Sequence, residues 1–425
     1  MLTTAGREFE DWSSAYRLFE RERIDRAALF APALLSVRQH IEPDAPVVVM
    51  MDDTLIHKRG RKVCGAAWKR DPLGPQWHTN YIWGQRYLQM SAALPEFGGD
   101  GRAVGVPIDF IHAPSAQKPK KNASPETWKV YEAQQNSMKL STLAARRLQE
   151  LPAQMPGKRI ICAVDGGYTN QTVFRDLPRD TTLIGRVRKD ARLYQAPVEN
   201  DPHRGRKKYY GELLPTPEQI RQDNYIPWQK VEAFAAGKRH VFDVKVVSGI
   251  RWRSTGNRDV QLVVIRPLAY RQKKGAKLLY RDPAYLICTD PDLSPDRLLQ
   301  SYLWRWEIEV NFRDEKTVMG VGEAQVRTCS AVESVPALVV ASYSYLLLAA
   351  AATSSRLSSL PRPKWYPSKP TDRCSTQQMI ALFRTQLWGL AIDMNKTRFV
   401  NSHSCGTNRV FCSFPLSSAV FHARK

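Results

Sequence analysis

The sequence is short of acidic residues, and this shortage limits the partners that suit the protein. Asp and Glu number 41 against 63 Lys and Arg, which leaves a formal net charge of +22. So large a surplus repels itself in the folded state, and it usually persists because the partner is a polyanion. Nucleic acid is the favoured partner, with an anionic membrane surface as the rival.

Cysteine is also scarce, and its spacing excludes the common zinc folds. The seven cysteines are odd in number and form neither a CxxC pair nor a Cys/His cluster at zinc-finger spacing. The pattern predicts buried free thiols in a reducing cytoplasm.

Long apolar runs are nearly absent. The N-terminus lacks the apolar core of a signal peptide, and only Val335 to Ala352 approaches transmembrane length. That run carries Ser and Tyr at 342–345 and has no basic flank, which favours a buried core helix. With 43% hydrophobic residues the chain has enough apolar material to fold. We therefore expect a soluble cytoplasmic protein with no membrane partner.

The apolar pattern divides the chain into five segments. Two continuous apolar runs, Val47 to Met51 and Ile160 to Val164, are typical of central strands that are buried on both faces. Basic clusters alternate with strand-like runs between residues 191 and 290. The segments are listed in chain order: 1–45, helical; 46–190, α/β core; 191–290, β-rich insertion; 291–352, closing helices; 353–425, Ser/Pro-rich linker and a helical tail with one helix near Gln377 to Ile392.

Both buried strands end at aspartate, in Asp52-Asp53 and at Asp165. An acid at the end of a buried strand lies where a sheet opens to ligands, although Asp also begins ordinary turns.

A third carboxylate, Glu309, lies on a helix that begins at Ser294-Pro295-Asp296. At 100° per residue Tyr302, Arg305, Glu309 and Lys316 share a stripe roughly 60° wide, while the flanking side chains are largely apolar. The flanking residues are Trp304, Trp306, Ile308, Val310 and Phe312. Such a stripe must face a partner or a cavity. The alternative is an ordinary Arg305–Glu309 ion pair on a solvated face.

The spacing Tyr-x2-Arg-x3-Glu-x6-Lys, from Tyr302 to Lys316, resembles the signature of bacterial insertion-sequence transposases with a DDE site. The family's first acid precedes a threonine, which favours Asp53 before Thr54 over Asp52, and Asp165 resembles the second acid. The resemblance runs from about residue 45 to 350. It implies an α/β fold: a ribonuclease-H-like mixed sheet flanked by helices and interrupted by a β-rich insertion, with small helical terminal segments.

The resemblance also implies a chemistry and a set of roles. Asp53, Asp165 and Glu309 would be catalytic and would hold two Mg²⁺ ions, with Mn²⁺ as a substitute, for nicking and then strand transfer. Tyr302, Arg305 and Lys316 would hold DNA phosphates.

Two further residues are weaker candidates. Arg188 is a candidate phosphate contact, although solvation at the surface explains it equally well. Trp252 stands between Arg251 and Arg253 in the insertion, where related enzymes stack a flipped base on a tryptophan. The alternative for Trp252 is packing within the insertion's own core.

The function expected from these features is a DNA transposase that binds double-stranded transposon ends and target DNA, as a homodimer in the synaptic complex. The alternatives are a ribonuclease-H-like nuclease without joining activity and a non-catalytic DNA-binding derivative. About 45 residues precede the first strand, so recognition of the ends is expected in the insertion, the tail or the first helices.

Overall fold

The computed structural model describes most of the chain, in the ranges 10–21, 23–72, 74–75, 77–97, 101–197, 208–273, 275–361, 373–384 and 386. The chain divides into two compact units, Arg26–Leu348 and a smaller one of Met1–Asp25 with Ala349–Lys425. The helix expected near Gln377 to Ile392 is helical over residues 376–384, and its remainder lies largely outside the described residues.

Helices and strands alternate along the chain. The helices are α1 Ser13–Glu20, α2 Arg26–His40, α3 Pro125–Ser137, α4 Leu140–Gln154, α5 Gln171–Arg175, α6 Pro217–Gln222, α7 Pro295–Trp304, α8 Trp306–Thr317 and α9 Cys329–Thr353. The strands are β1 Val47–His57, β2 Ala67–Arg70, β3 Tyr81–Pro95, β4 Ala103–His112, β5 Ile160–Val164, β6 Thr181–Arg186, β7 Leu193–Gln195, β8 Gln229–Ala235, β9 Lys238–Trp252, β10 Asp259–Ile265, β11 Ala269–Tyr270, β12 Leu279–Tyr280 and β13 Ala284–Cys288.

The first part of the main sheet has the mixed pairing expected of a ribonuclease-H-like core. Strand β1 pairs antiparallel with β3 and parallel with β5, and β5 pairs parallel with β6. The apolar start of β1, from Val47 to Met51, is fully buried, as its continuous apolar run predicted. The prediction of an α/β fold with a large mixed sheet flanked by helices is confirmed.

Strands from residues 191–290 extend this sheet. Strand β13 pairs with β6, and β10, β9 and β7 follow in order. With β4 beside β3 and β8 beside β9, the main sheet has eleven strands in the part of the chain that the structure describes. The insertion is therefore continuous with the core sheet through the β6–β13 pairing.

The single helix predicted from Ser294 to Lys316 is two helices, because the chain turns at Arg305 between α7 and α8. Both pack on one face of the sheet, where Leu298, Trp304 and Ile308 join a buried apolar cluster. Trp306, which was expected to belong to the apolar surface, is 65% exposed. The break at Arg305 turns it outward.

Helix α9 is held to the core by polar as well as apolar contacts. Ser344 donates to the carbonyl of Pro107 at 2.7 Å, and Tyr87 donates to the carbonyl of Val332 at 3.0 Å. By length and composition alone α9 could also cross a membrane, with 39% of its most apolar window buried. Its bonds to β3 and β4 support the interpretation as a core helix.

The expectation of free thiols is wrong for two cysteines. Cys64, between β1 and β2, forms a disulfide with Cys329 at the start of α9. The sequence could not reveal this pair because 265 residues separate its members. Cys162, Cys288 and Cys374 are free and buried, as predicted. The other two cysteines lie outside the described residues.

Candidate active site

The alternation of side chains along β1 decides which of its two adjacent aspartates faces helix α8. Val48 and Met50 belong to the apolar cluster that α7 and α8 cover. Side chains two residues apart point to the same face of a strand, so Asp52 faces α8 and Asp53 faces the opposite side. The register agrees, since Asp52 is paired with Gln89, whose amide donates to Glu315 of α8 at 2.9 Å.

Asp52 contacts the helix signature directly. One guanidinium nitrogen of Arg305 lies 3.2 Å from Asp52 Oδ2 and 3.8 Å from Glu309 Oε1, so that Arg305 bridges the two carboxylates. Burial, together with the neighbouring charge of Asp165, raises the pKa of Asp52 to about 7. Asp52 and Glu309 therefore converge on Arg305, and Asp165 lies close enough to Asp52 for its charge to act on it.

Asp53 has different partners. The hydroxyl of Tyr168 donates to its Oδ1 at 2.8 Å, and Arg86 lies 3.3 Å from its Oδ2. Burial raises the pKa of Asp53, against the lowering effects of Tyr168 and Arg86. The preference for Asp53 over Asp52 is not supported by this geometry, because a residue's neighbour on a strand points the other way. The apolar run before the pair covers both faces, so it carried no signal to separate them.

Asp165 begins the turn after β5, beside Asp52. The parallel pairing of β1 with β5 ends at Met51 with Val164, so that Asp52 and Asp165 follow directly on neighbouring strands. The carboxylate of Asp165 accepts from the backbone of Gly167 at 2.8 Å, and its carbonyl accepts from Thr169 Oγ1 at 2.7 Å. The turn therefore holds the carboxylate at the carboxyl end of the sheet.

Close packing on β4 fixes helix α8 over these acids. A Cβ at Gly105 would lie 2.9 Å from both Asn311 Oδ1 and Glu307 Cβ, so only glycine allows this approach without a shift. Buried Asn311 donates to the carbonyl of Gly105 at 2.9 Å and accepts from Ser91 at 2.9 Å. This network holds the part of α8 that carries Glu309, which lies two residues before Asn311.

The other two signature residues lie near the same group. The guanidinium of Arg305 lies over the ring of Tyr302, 6.0 Å from its centroid. Lys316 is an exposed residue. Partial burial lowers the pKa of its ammonium, and the nearby charge of Glu309 acts in the opposite direction. Tyr302, Arg305 and Glu309 therefore remain neighbours on one side although the helix breaks at Arg305. The Arg305–Glu309 ion pair, which was the alternative interpretation of the stripe, also forms.

A cleft of about 1040 Å³ opens next to the turn that follows Asp165. Gly166, Arg186, Arg188 and Trp252 are among its lining residues. Arg188 is exposed and pairs with Asp190 at 2.9 Å, while half-buried Trp252 makes an edge contact with Phe174. The cleft brings the two weaker candidates, Arg188 and Trp252, together in one lining, which also includes Gly166 directly after Asp165.

The donor set suits a hard divalent cation that arrives with its substrate. Within the described ranges, no three His, Cys, Asp or Glu side chains form a ready-made metal cage. Mg²⁺ needs none, since it is usually bound through one or two carboxylates, waters and substrate phosphates. The pKa of Asp52 is raised mainly by burial and secondly by the charge of Asp165, and a bound cation would offset both effects. The carboxylates of Asp52, Asp165 and Glu309 are thus of the chemical type that a hard divalent cation prefers.

A mixed α/β sheet with carboxylates on neighbouring strands and a third on a covering helix defines a nuclease-like class of protein. The chain belongs to the DDE superfamily endonucleases, whose family model matches residues 1–259. The match contains Asp52, Asp53 and Asp165 and ends before α8, so Glu309 rests on the geometry. The family acts on DNA and uses divalent metal ions. No curated protein matches the chain.

The sequence missed two features of the site. Tyr168, three residues after Asp165, binds Asp53, and a tyrosine in a turn carries no distinctive pattern. The sequence pattern also assigned no role to the aromatic residues of the β2–β3 hairpin. These residues, Trp68, Trp77, Tyr81 and Trp83, lie within sixteen positions of one another.

Proposed function

We propose that the protein is a DNA transposase of an insertion sequence, which cuts the ends of its element and joins them to a target. The observation that carries the proposal is the convergence of Asp52 and Glu309 on Arg305, with Asp165 beside Asp52. A protein that only binds DNA has no use for three carboxylates facing phosphate, because they repel it.

In this proposal Asp52, Asp165 and Glu309 hold the two divalent ions. Asp52 takes the place first assigned to Asp53. When bound, such ions lower the pKa of an attacking water or hydroxyl and neutralise charge on the phosphate undergoing attack. Asp53 supports the site from the other face of β1 through Tyr168 and Arg86.

The cationic residues of the signature bind the DNA backbone. Arg305 balances Asp52 and Glu309 in the protein without DNA, and its guanidinium is close enough to both to donate to a phosphate held between them. Lys316 adds a second cation on the exposed side of α8. Tyr302 adds a ring face and a hydroxyl donor near Arg305.

The neighbouring cleft suits an unstacked nucleotide. Its volume of about 1040 Å³ accommodates a base, and Trp252 offers a half-buried ring near the cation of Arg188. We propose that Trp252 stacks on a base next to the cut and that Arg188 binds the adjoining phosphate. The chain is proposed to act in the cytoplasm as a homodimer that holds both element ends.

Transposition is tested with labelled duplex DNA that carries the terminal inverted repeat from the DNA flanking the gene. Wild type in Mg²⁺ is expected to nick at the repeat boundary and to join a precut 3′-hydroxyl end to a target plasmid. Glu309→Gln removes one carboxylate charge and is expected to abolish both reactions, by 10³-fold or about that order, while binding persists. The matched control is Glu323→Gln, which neutralises an exposed carboxylate on the turn that follows α8. It should leave both rates unchanged.

The outcomes separate the candidate functions. Cleavage without joining identifies a nuclease. Binding without cleavage in Mg²⁺ or Mn²⁺ identifies a non-catalytic DNA-binding protein and contradicts the proposal.

A further inference from the structure

The hairpin formed by β2 and β3 presents an unusual number of exposed aromatic side chains. Trp68 is 67% exposed, Trp77 is 90% exposed and Tyr81 is 62% exposed. Together with Trp83 and Arg70 they are named the hairpin surface. Large aromatic side chains that cluster in solvent on a soluble protein mark a binding surface.

The hairpin surface is held in place by contacts within the described structure. Trp68 is paired with Trp83 across the two strands, and their rings make an edge contact with centroids 5.6 Å apart. The indole nitrogen of Trp83 donates to the carbonyl of Gly60 at 3.0 Å. The disulfide from Cys64 to Cys329 ties the same β1–β2 loop to α9. The rings are therefore partly ordered before any partner binds, which lowers the entropy cost of binding.

The charge of this region points to a polyanion. Residues 54–95 contain seven Lys and Arg and a single acid, Asp71. Arg59, Arg61, Lys62 and Arg70 are exposed around the aromatic side chains. Aromatic faces interleaved with cations are the usual composition of surfaces that bind unpaired nucleic acid, since bases stack on the rings while cations contact the phosphates.

The register places the hairpin surface on the catalytic side of the sheet. Gln89 is paired with Asp52, and the pairing of β3 with β1 and β2 is regular from residue 81 to residue 89. Trp83 is six residues from Gln89, so the two side chains share a face and lie roughly 20 Å apart. The part of this face between them is covered, since Gln85 and Tyr87 are buried and Tyr87 donates to Val332 of α9.

We propose that the hairpin surface binds unpaired bases of the DNA that the enzyme cuts. This assignment depends on the proposed function, because that function sends DNA across Asp52. Trp68 and Trp77 supply the stacking faces, and Arg70 with the β1–β2 loop supplies the phosphate contacts. The enzyme thereby favours DNA that is already opened beside the cut over a fully paired duplex.

The test compares the full chain with Trp68→Ala/Trp77→Ala on two labelled DNA molecules of one sequence. One is fully paired, and the other has a six-nucleotide mismatched bubble. Wild type is expected to prefer the bubble in fluorescence anisotropy. The double variant is expected to lose about 5- to 150-fold in affinity for the bubble per stacking contact removed, and little for the paired duplex. Trp68→Phe/Trp77→Phe should restore the preference, whereas Tyr225→Ala, an exposed aromatic elsewhere, should preserve it.

Three results would overturn the inference. They are an equal loss on both DNA molecules, a loss of binding to anionic vesicles in place of DNA, and dissociation of a protein dimer in the double variant. The readout is binding and not cleavage. A wild type that prefers the bubble but cuts nothing would therefore refute the proposed function and leave the stacking surface standing.

Discussion

At the scale of single residues, Glu315 is the clearest case of a buried charge with a measurable consequence. It is 1% exposed and accepts one hydrogen bond, from Gln89 at 2.9 Å. Burial raises the pKa of Glu315 to about 8, while Gln89 and Lys316 act in the opposite direction. The folded protein therefore favours the protonated carboxyl at pH values where the unfolded chain is ionised.

The sign of the pH dependence follows from this pKa. The contribution of Glu315 to stability is fully present below pH 4.5, its ordinary pKa, and is lost as the pH rises towards about 8. Glu315→Gln keeps the acceptor for Gln89 and removes the titration. The variant is therefore expected to exceed wild type in unfolding free energy at pH 8 by roughly 2–4 kcal/mol, with little difference at pH 4.5.

Urea denaturation of both proteins across pH 4.5 to 8.5 measures this difference. Glu323→Gln, which neutralises an exposed carboxylate, is the control and should follow the wild-type profile. Parallel curves for wild type and Glu315→Gln would show that the buried carboxyl does not titrate as described.

At the scale of structural elements, the loop between β1 and β2 is clamped to the segment that follows α8. Lys58 Nζ donates to the carbonyl of Gly322 at 3.0 Å, and the backbone of Cys64 donates to that of Arg327 at 3.0 Å. The Cys64–Cys329 disulfide closes the same junction. The clamp thus joins the exit of the strand that carries Asp52 to the exit of the helix that carries Glu309.

Reduction is expected to weaken this clamp. A cross-link across 265 residues restricts the unfolded chain, and its loss typically costs roughly 2–4 kcal/mol. A reducing agent should therefore lower the urea midpoint of the wild type. It should leave the midpoint of Cys64→Ser/Cys329→Ser unchanged, since that variant is already without the cross-link. Equal shifts in both proteins would mean that the reductant acts elsewhere.

The residue spacing in helix α8 predicted some of its contacts but not its break. The spacing of Tyr302, Arg305, Glu309 and Lys316 predicted a shared stripe, and the contacts of Arg305 with Tyr302 and Glu309 confirm it for those three. The break at Arg305 was not predictable, because Arg and Trp are both acceptable in a helix interior. The exposure of Trp306 follows from that break.

At the scale of the whole molecule, local patterns predicted the elements but not the long-range pairings. Continuous apolar runs identified β1 and β5 as buried strands, and alternation in residues 191–290 indicated further strands. That β13 pairs with β6 and continues the core sheet depends on partners about a hundred residues apart, which no local pattern records. The choice between Asp52 and Asp53 stays a prediction, because the face to which each side chain points is set by the register with β3 and β5, which the apolar run does not record.

The central claim is that the side of the sheet covered by α8 is the side that cuts DNA. It is tested most directly by comparing Asp52→Asn with Asp53→Asn in Mg²⁺-dependent cleavage of the labelled terminal duplex. Both substitutions keep size and remove one charge. Asp52→Asn is expected to abolish cleavage while DNA binding persists, and Asp53→Asn is expected to retain measurable cleavage. Cleavage by Asp52→Asn together with complete loss in Asp53→Asn would contradict it, and would assign the metal-binding carboxylate to the opposite face of β1.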